Sequence, residues 1–187
     1  MLKNFLLIAA VFFSVTATAQ KTAYRSYSYL GLLEGQSSAS FQLTTSHGLE
    51  FGSYFAGLGV GLDEYRKWSL PIFVTASKYL FPRRNNLFVS ANAGTHLLFN
   101  QQEQLIFNST SSKLLPGFFG EMGLVYRFPL SGMKPGQGLV FGTYYSYKAF
   151  KEKFAVPGNC NNPPCADGFE YTNYQLNRWA FKLGFAL

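Results

Sequence analysis

The sequence predicts an all-β protein, an eight-stranded antiparallel up-and-down transmembrane β-barrel. Three observations carry that expectation. From Tyr24 onward side chains change character at every second residue, and no stretch sustains the 3.6-residue period of a helix. The last stretch, Asn173 to Leu187, divides into a broad apolar face (Trp179, Phe181, Leu183, Phe185, Leu187) and a small or charged one (Arg178, Ala180, Lys182, Gly184, Ala186). That division suits hydrocarbon outside and a narrow polar interior, whereas a soluble barrel turns its apolar face inward. Finally, the breaks between stretches alternate between short and long, as the connections at the two ends of a membrane barrel do.

Taken in order, the chain opens with Lys3, an apolar run from Phe5 to Phe13, and Ala17-Thr18-Ala19 followed by Gln20. This predicts a secretory signal peptide over residues 1–19 with an A-x-A cleavage site, leaving 20–187 as the barrel. The apolar run is shorter than the roughly 20 residues a membrane-crossing helix needs, and no later stretch does better. No Cys follows the cleavage site, which argues against a lipid anchor. The 187 residues suffice for one domain, and 18% aromatic residues, 18 Gly and only 13% charged residues set it apart from an average soluble one. Removing Lys3 with the signal takes the formal charge from +7 to +6. The basic residues are scattered among strands and turns, so no nucleic acid partner is expected, and no cofactor or metal either.

Eight strands are predicted at Tyr24 to Glu34, Ala39 to Phe51, Tyr54 to Tyr65, Ser69 to Phe81, Leu87 to Phe99, Leu115 to Phe128, Gly138 to Phe150 and Tyr171 to Leu187. Each reaches the roughly 9 to 11 residues that a tilted membrane strand requires. In the first, Tyr27 and Tyr29 compete with Leu30 and Leu32 for one face, so its parity stays open. In the second, Phe41, Leu43, Leu49 and Phe51 define an outer face on which strict alternation also puts His47; a bulge at Gly48 would turn it inward. The third sets Ala56, Leu58, Val60 and Leu62 against Gly57, Gly59, Gly61 and Asp63, the glycines leaving room for bulky side chains across a tight lumen. The fourth turns Leu70, Ile72, Val74 and Ala76 outward against Thr75, Ser77 and Tyr79. The fifth does the same with Leu87, Val89, Ala91, Ala93 and Leu97 against Ser90, Asn92, Gly94 and His96. In the sixth, Phe118, Met122, Leu124, Tyr126 and Phe128 oppose Glu121, Gly123 and Arg127. In the seventh, Leu139, Phe141, Tyr145 and Tyr147 oppose Gly142, Tyr144, Ser146 and Lys148.

The short breaks Gly52-Ser53, Pro82 to Asn86 and Pro129 to Gln137 are expected on the periplasmic side. Gly35 to Ser38, Arg66 to Trp68, Asn100 to Leu114 and Lys151 to Glu170 are expected outside, with both termini in the periplasm. Tyr79, Phe81, Tyr126 and Phe128 are expected in the inner aromatic girdle, and Tyr65, Trp68 and Tyr171 in the outer one.

Gly57-Leu58-Gly59-Val60-Gly61-Leu62-Asp63 followed by Tyr65-Arg66, then Leu70-Pro71-Ile72-Phe73 and Ala91-Asn92-Ala93-Gly94, resembles small outer-membrane β-barrel proteins of the Bacteroidota type. The terminal strand likewise resembles the closing strand of bacterial outer-membrane barrels, although those usually end on an aromatic residue and this chain ends on Leu187. The resemblance implies a bacterial outer-membrane location and outer-membrane lipid as the surroundings; it implies no catalytic residue.

Four features bear on chemistry. Cys160 and Cys165 flank Asn-Asn-Pro-Pro, and in an exported protein the simplest outcome is a disulfide; two thiols without a nearby His leave a zinc site half filled, and the spacing is not C-x-x-C. His96, with Ser90, Asn92 and Glu121, could make a lipid-modifying site, but a satisfied interior histidine is the simpler reading. Asn108-Ser109-Thr110 matches a glycosylation sequon and reads as polar loop. Glu121, Lys148, Arg178 and Lys182 all point inward by alternation, so an ionic cluster of three cations around the Glu121 carboxylate, assisted by Tyr144, is expected to close the lumen. The functional expectation is a structural or surface-interaction barrel, not an enzyme, with an extracellular protein or glycan ligand at loops 100–114 and 151–170. A lipid-modifying enzyme, a small-solute pore and a subunit of a larger envelope assembly are the alternatives.

Overall fold

The computed structural model describes residues 22–35, 39–65, 68–81, 86–99, 112–130, 132–133, 136–156 and 168–187. The signal peptide expected over 1–19, Cys160, Cys165, the Asn108 sequon and most of the two long loops lie outside them. Period-two sequence becomes strand here because each strand has two unlike neighbourhoods to satisfy. The elements are β1 (Thr22–Glu34), β2 (Ser40–Phe51), β3 (Tyr54–Glu64), β4 (Trp68–Tyr79), β5 (Leu87–Leu98), β6 (Ser112–Pro129), β7 (Gly138–Val156) and β8 (Gly168–Ala186). Each pairs antiparallel with the next, and β8 returns to β1, so the sheet closes into an up-and-down barrel. Ser26 and Leu187 exchange both backbone hydrogen bonds, at 3.0 and 2.9 Å, which seals the seam at the end of the turns 52–53, 80–86 and 130–137. This is called the short-turn end below.

The exterior is apolar on every strand, including Leu30, Leu43, Leu58, Ile72, Leu97, Met122, Phe141 and Leu183, all more than a third exposed. In β1 the odd residues face inward: Tyr27 and Tyr29 are buried while Leu30 and Leu32 are exposed, which settles the parity that the sequence left open. In β2 the register runs through Gly48 without interruption on both sides, so there is no bulge there and His47 stays on the exterior. Tyr79 and Tyr65 are corrected from girdle to lumen, at 1% and 5% exposure; Phe51 and Tyr54 stand outside at the short-turn end with Phe81, Tyr126 and Phe128.

A second correction concerns the opposite end. Residues 112–114, 151–156 and 168–170, expected in loops, are strand: β6, β7 and β8 run 18, 19 and 19 residues against 11 to 13 in the others. They form a three-stranded blade beyond the rim. Pairing passes from Leu115 opposite Lys151 to Phe118 opposite Ala149, so β6 carries one extra residue there. Pro116 sits in this bulge, which accommodates a residue with no N–H for the ladder.

Gly59 shows how the third strand serves the interior. A Cβ at this position would stand 2.3 Å from the Phe73 ring and 2.9 Å from the Thr45 carbonyl oxygen, so the space is occupied from across the pleat. Gly59→Leu is expected to lower stability by about 1–3 kcal/mol through overpacking, read as a lower urea midpoint in detergent micelles. Phe73→Ala in the same chain should recover part of the loss, and an unchanged midpoint for Gly59→Leu alone would contradict this packing.

Candidate functional site: a polar plug within the barrel

The interior is built in layers because every second residue of eight tilted strands must share one narrow space. At the short-turn end, Arg25 Nε lies 3.1 Å from Glu50 Oε2, and the Tyr79 hydroxyl donates to the same carboxylate at 3.0 Å. Tyr27 and Tyr79 join hydroxyls at 2.8 Å, and Arg127 donates to the Gly136 carbonyl at 2.9 Å, tying the last turn over this mouth. Gly136 has φ +89 and packs against the Arg25 guanidinium, a conformation and a contact that both favour glycine.

Aromatic rings fill the next layer. Tyr27 meets Phe55 edge-on at 5.0 Å, Tyr79 meets Phe88 at 5.3 Å, and Tyr29 meets Tyr144 at 6.2 Å. The void left between this layer and Lys182 is about 10 Å³, about what a single water needs.

Above the rings two buried ion pairs span the bore. Lys182 Nζ lies 2.6 Å from Glu121 Oε2, and Lys148 Nζ lies 2.5 Å from Asp63 Oδ1; in both pairs each partner is 1% exposed or less. Glu121 also accepts from Gln42 at 2.9 Å, Ser146 at 2.9 Å and Asn92 at 3.2 Å. Asp63 accepts from Ser69, and Lys148 donates to Ser69 at 2.7 Å. The Gln42 amide nitrogen reaches Asp63 as well, at 3.4 Å, so one amide links the two carboxylates. Tyr65 extends the chain by donating to Ser146. Both lysines lie over rings, Lys182 over Tyr144 and Lys148 over Tyr65, each at 4.5 Å. Charges taken from water are tolerable when every lone pair and proton finds a partner, and these carboxylates come close to that condition.

The arrangement differs from three cations around one carboxylate. Lys182 alone pairs with Glu121. Lys148 belongs to Asp63, which the sequence placed inward without a role. Arg178 lies toward the long-strand end, donating to Ser40 at 2.6 Å and to the Tyr65 carbonyl at 2.5 Å, with its guanidinium over the Tyr65 ring. Tyr144 serves Lys182 with its ring face. The signal that Asp63 mattered was available: it is an acidic residue on the glycine face of β3.

The structure does not assemble the His96 constellation. Ser90 is bonded to Ser77 at 3.0 Å and Asn92 to Glu121, while His96 is fully buried, meets Phe150 edge-on at 5.9 Å and has neither ring nitrogen on a side-chain partner. A histidine meets hydroxyls instead on the exterior. Tyr24 OH lies 2.8 Å from His47 Nδ1, Thr45 Oγ1 lies 3.2 Å from His47 Nε2, and Ser28 Oγ lies 3.1 Å from Thr45 Oγ1. These polar groups satisfy one another among apolar neighbours. Among the described residues, no three His, Cys, Asp or Glu side chains gather as metal ligands would. No known family model matches the chain, and no curated protein matches it.

Removing one member of a buried pair leaves the other charge uncompensated. Glu121→Ala is therefore expected to destabilise by about 3–5 kcal/mol, measured as a shift of the unfolding midpoint in detergent. Glu121→Leu combined with Lys182→Met should return most of the loss. Equal midpoints for wild type and Glu121→Ala would show that water already reaches the carboxylate.

Proposed function

We propose that this chain is an integral β-barrel of a bacterial outer membrane, exported by a signal peptide, whose lumen is closed by side chains and whose work is done at the long-strand end. The observation that carries the reading is the inversion of polarity: the exterior is apolar on all eight strands while the interior holds ion pairs. Water outside would make that arrangement unstable, and hydrocarbon outside makes it the natural one. The narrow void in the aromatic layer and the linked ion pairs favour a structural or surface-interaction protein over a solute pore. The blade and the segments 100–111 and 157–167 then form the external surface, open to a protein or glycan ligand. A disulfide between Cys160 and Cys165 would stiffen the second of these segments.

Fractionation of the cells of origin on a density gradient should place the chain with the outer membrane. Protease added to intact cells should cut within 100–111 or 157–167 and spare 130–137. Cutting restricted to 130–137 would invert the orientation, and recovery in the soluble fraction would overturn the reading.

A further inference from the structure

The blade has two chemically unlike faces. Directly opposed residues share a face, and the register gives the exterior one row by row: Met122, Tyr145 and Trp179; then Gly120, Tyr147 and Asn177; then Phe118, Ala149 and Gln175; then Leu115, Lys151 and Asn173; then Lys113, Lys153 and Tyr171. Rows step about 5 Å along the axis for strands tilted about 40°. Over about 20 Å the surface passes from aromatic and aliphatic, through carboxamides, to ammonium groups.

That order matches what one leaflet presents from its core outward: acyl chain, then sugar and carbonyl groups, then phosphate. Among the described residues, the carboxylates of the blade do not answer these lysines, because Glu152 and Glu170 lie at alternate positions, on the other face, and Glu34 lies beside Trp179, three rows below Lys151. Lys113 and Lys153 stand directly across the ladder from each other, a like-charged pair that costs stability unless an anion sits between them. Lys153 rests over the Phe169 ring at 3.5 Å, which fixes its height.

The same face is hollowed. The β6 bulge and two small residues, Gly117 and Ala149, leave a groove of about 450 Å³ whose walls include Phe118, Lys151, Asn173 and Gln175. A Cβ at Gly117 would stand 1.7 Å from the Ala149 carbonyl oxygen, so the backbones meet at its floor. The volume lies in the range that ligand sites occupy.

Resting on the membrane reading above, we propose that this groove binds the phosphorylated sugar headgroup of an outer-leaflet glycolipid. Lys113, Lys151 and Lys153 meet its phosphate, Asn173 and Gln175 its hydroxyls, and Phe118 its first acyl carbons. Lysine holds phosphate as a point charge, and aromatic and amide groups together suit a sugar ring better than a glycerol.

The test uses mature chain refolded in neutral detergent, with native mass spectrometry against diphosphoryl lipid A, the same lipid dephosphorylated, and phosphatidylglycerol. Wild type should bind diphosphoryl lipid A at least 10-fold more tightly than either other lipid. The triple variant K113Q, K151Q, K153Q should lose at least 10-fold, while K78Q, at the short-turn end, should bind as wild type does. Unchanged binding by the triple variant, or equal binding of phosphatidylglycerol, would overturn the assignment. Flotation of the refolded chain with phosphatidylcholine vesicles separates the two claims. A chain that floats but binds without these preferences overturns the headgroup site alone, and one that fails to insert overturns the membrane reading with it.

Discussion

A charge inside an eight-stranded barrel has little water to turn to, and the rest of this structure follows from how that is met. Lys182 with Glu121 and Lys148 with Asp63 neutralise each other across the bore, and Gln42 binds both carboxylates. Each partner comes from a different strand, β2, β3, β6, β7 or β8, so the network ties remote parts of the wall together. Cross-barrel bonds add to a ladder in which each strand otherwise knows only its two neighbours. Breaking one pair therefore acts on the whole circumference.

The rings on either side extend the same logic. Tyr144 and Tyr65 offer π faces to the two lysines, and a cation out of water gains most from such a face. The aromatic layer below separates the ion pairs from the Arg25–Glu50 pair at the mouth. Small residues make this possible: without Gly59 the Phe73 ring has no place, and Phe73 lies 5.5 Å from Phe119, whose ring lies beneath Lys148.

Most of the wall was legible because a strand with an apolar outer face and a crowded inner one must alternate. Leu58, Val60 and Leu62 against Gly59, Gly61 and Asp63 leave little choice. The open parity of β1 came from reading Tyr27 and Tyr29 as rivals of Leu30 and Leu32 for one face, when two tyrosines can bury their rings inward and still bond their hydroxyls, as Tyr27 does with Tyr79. The pairing of charges was not legible. Alternation tells which way a side chain points, but who stands across the bore depends on the stagger of eight strands, and Lys148 and Asp63 are separated by three strands of wall along either path. The blade was missed for a simpler reason: Lys151, Glu152 and Lys153 put charge on both faces of the strand in succession, which reads as loop.

The central claim is that paired charges close the bore, and single-channel recording in planar bilayers tests it most directly. Wild-type protein should stay silent, and the double variant Asp63→Ala, Glu121→Ala should give small, irregular openings. Steady conductance by the wild type, unchanged in the double variant, would contradict the claim and make the interior an open channel.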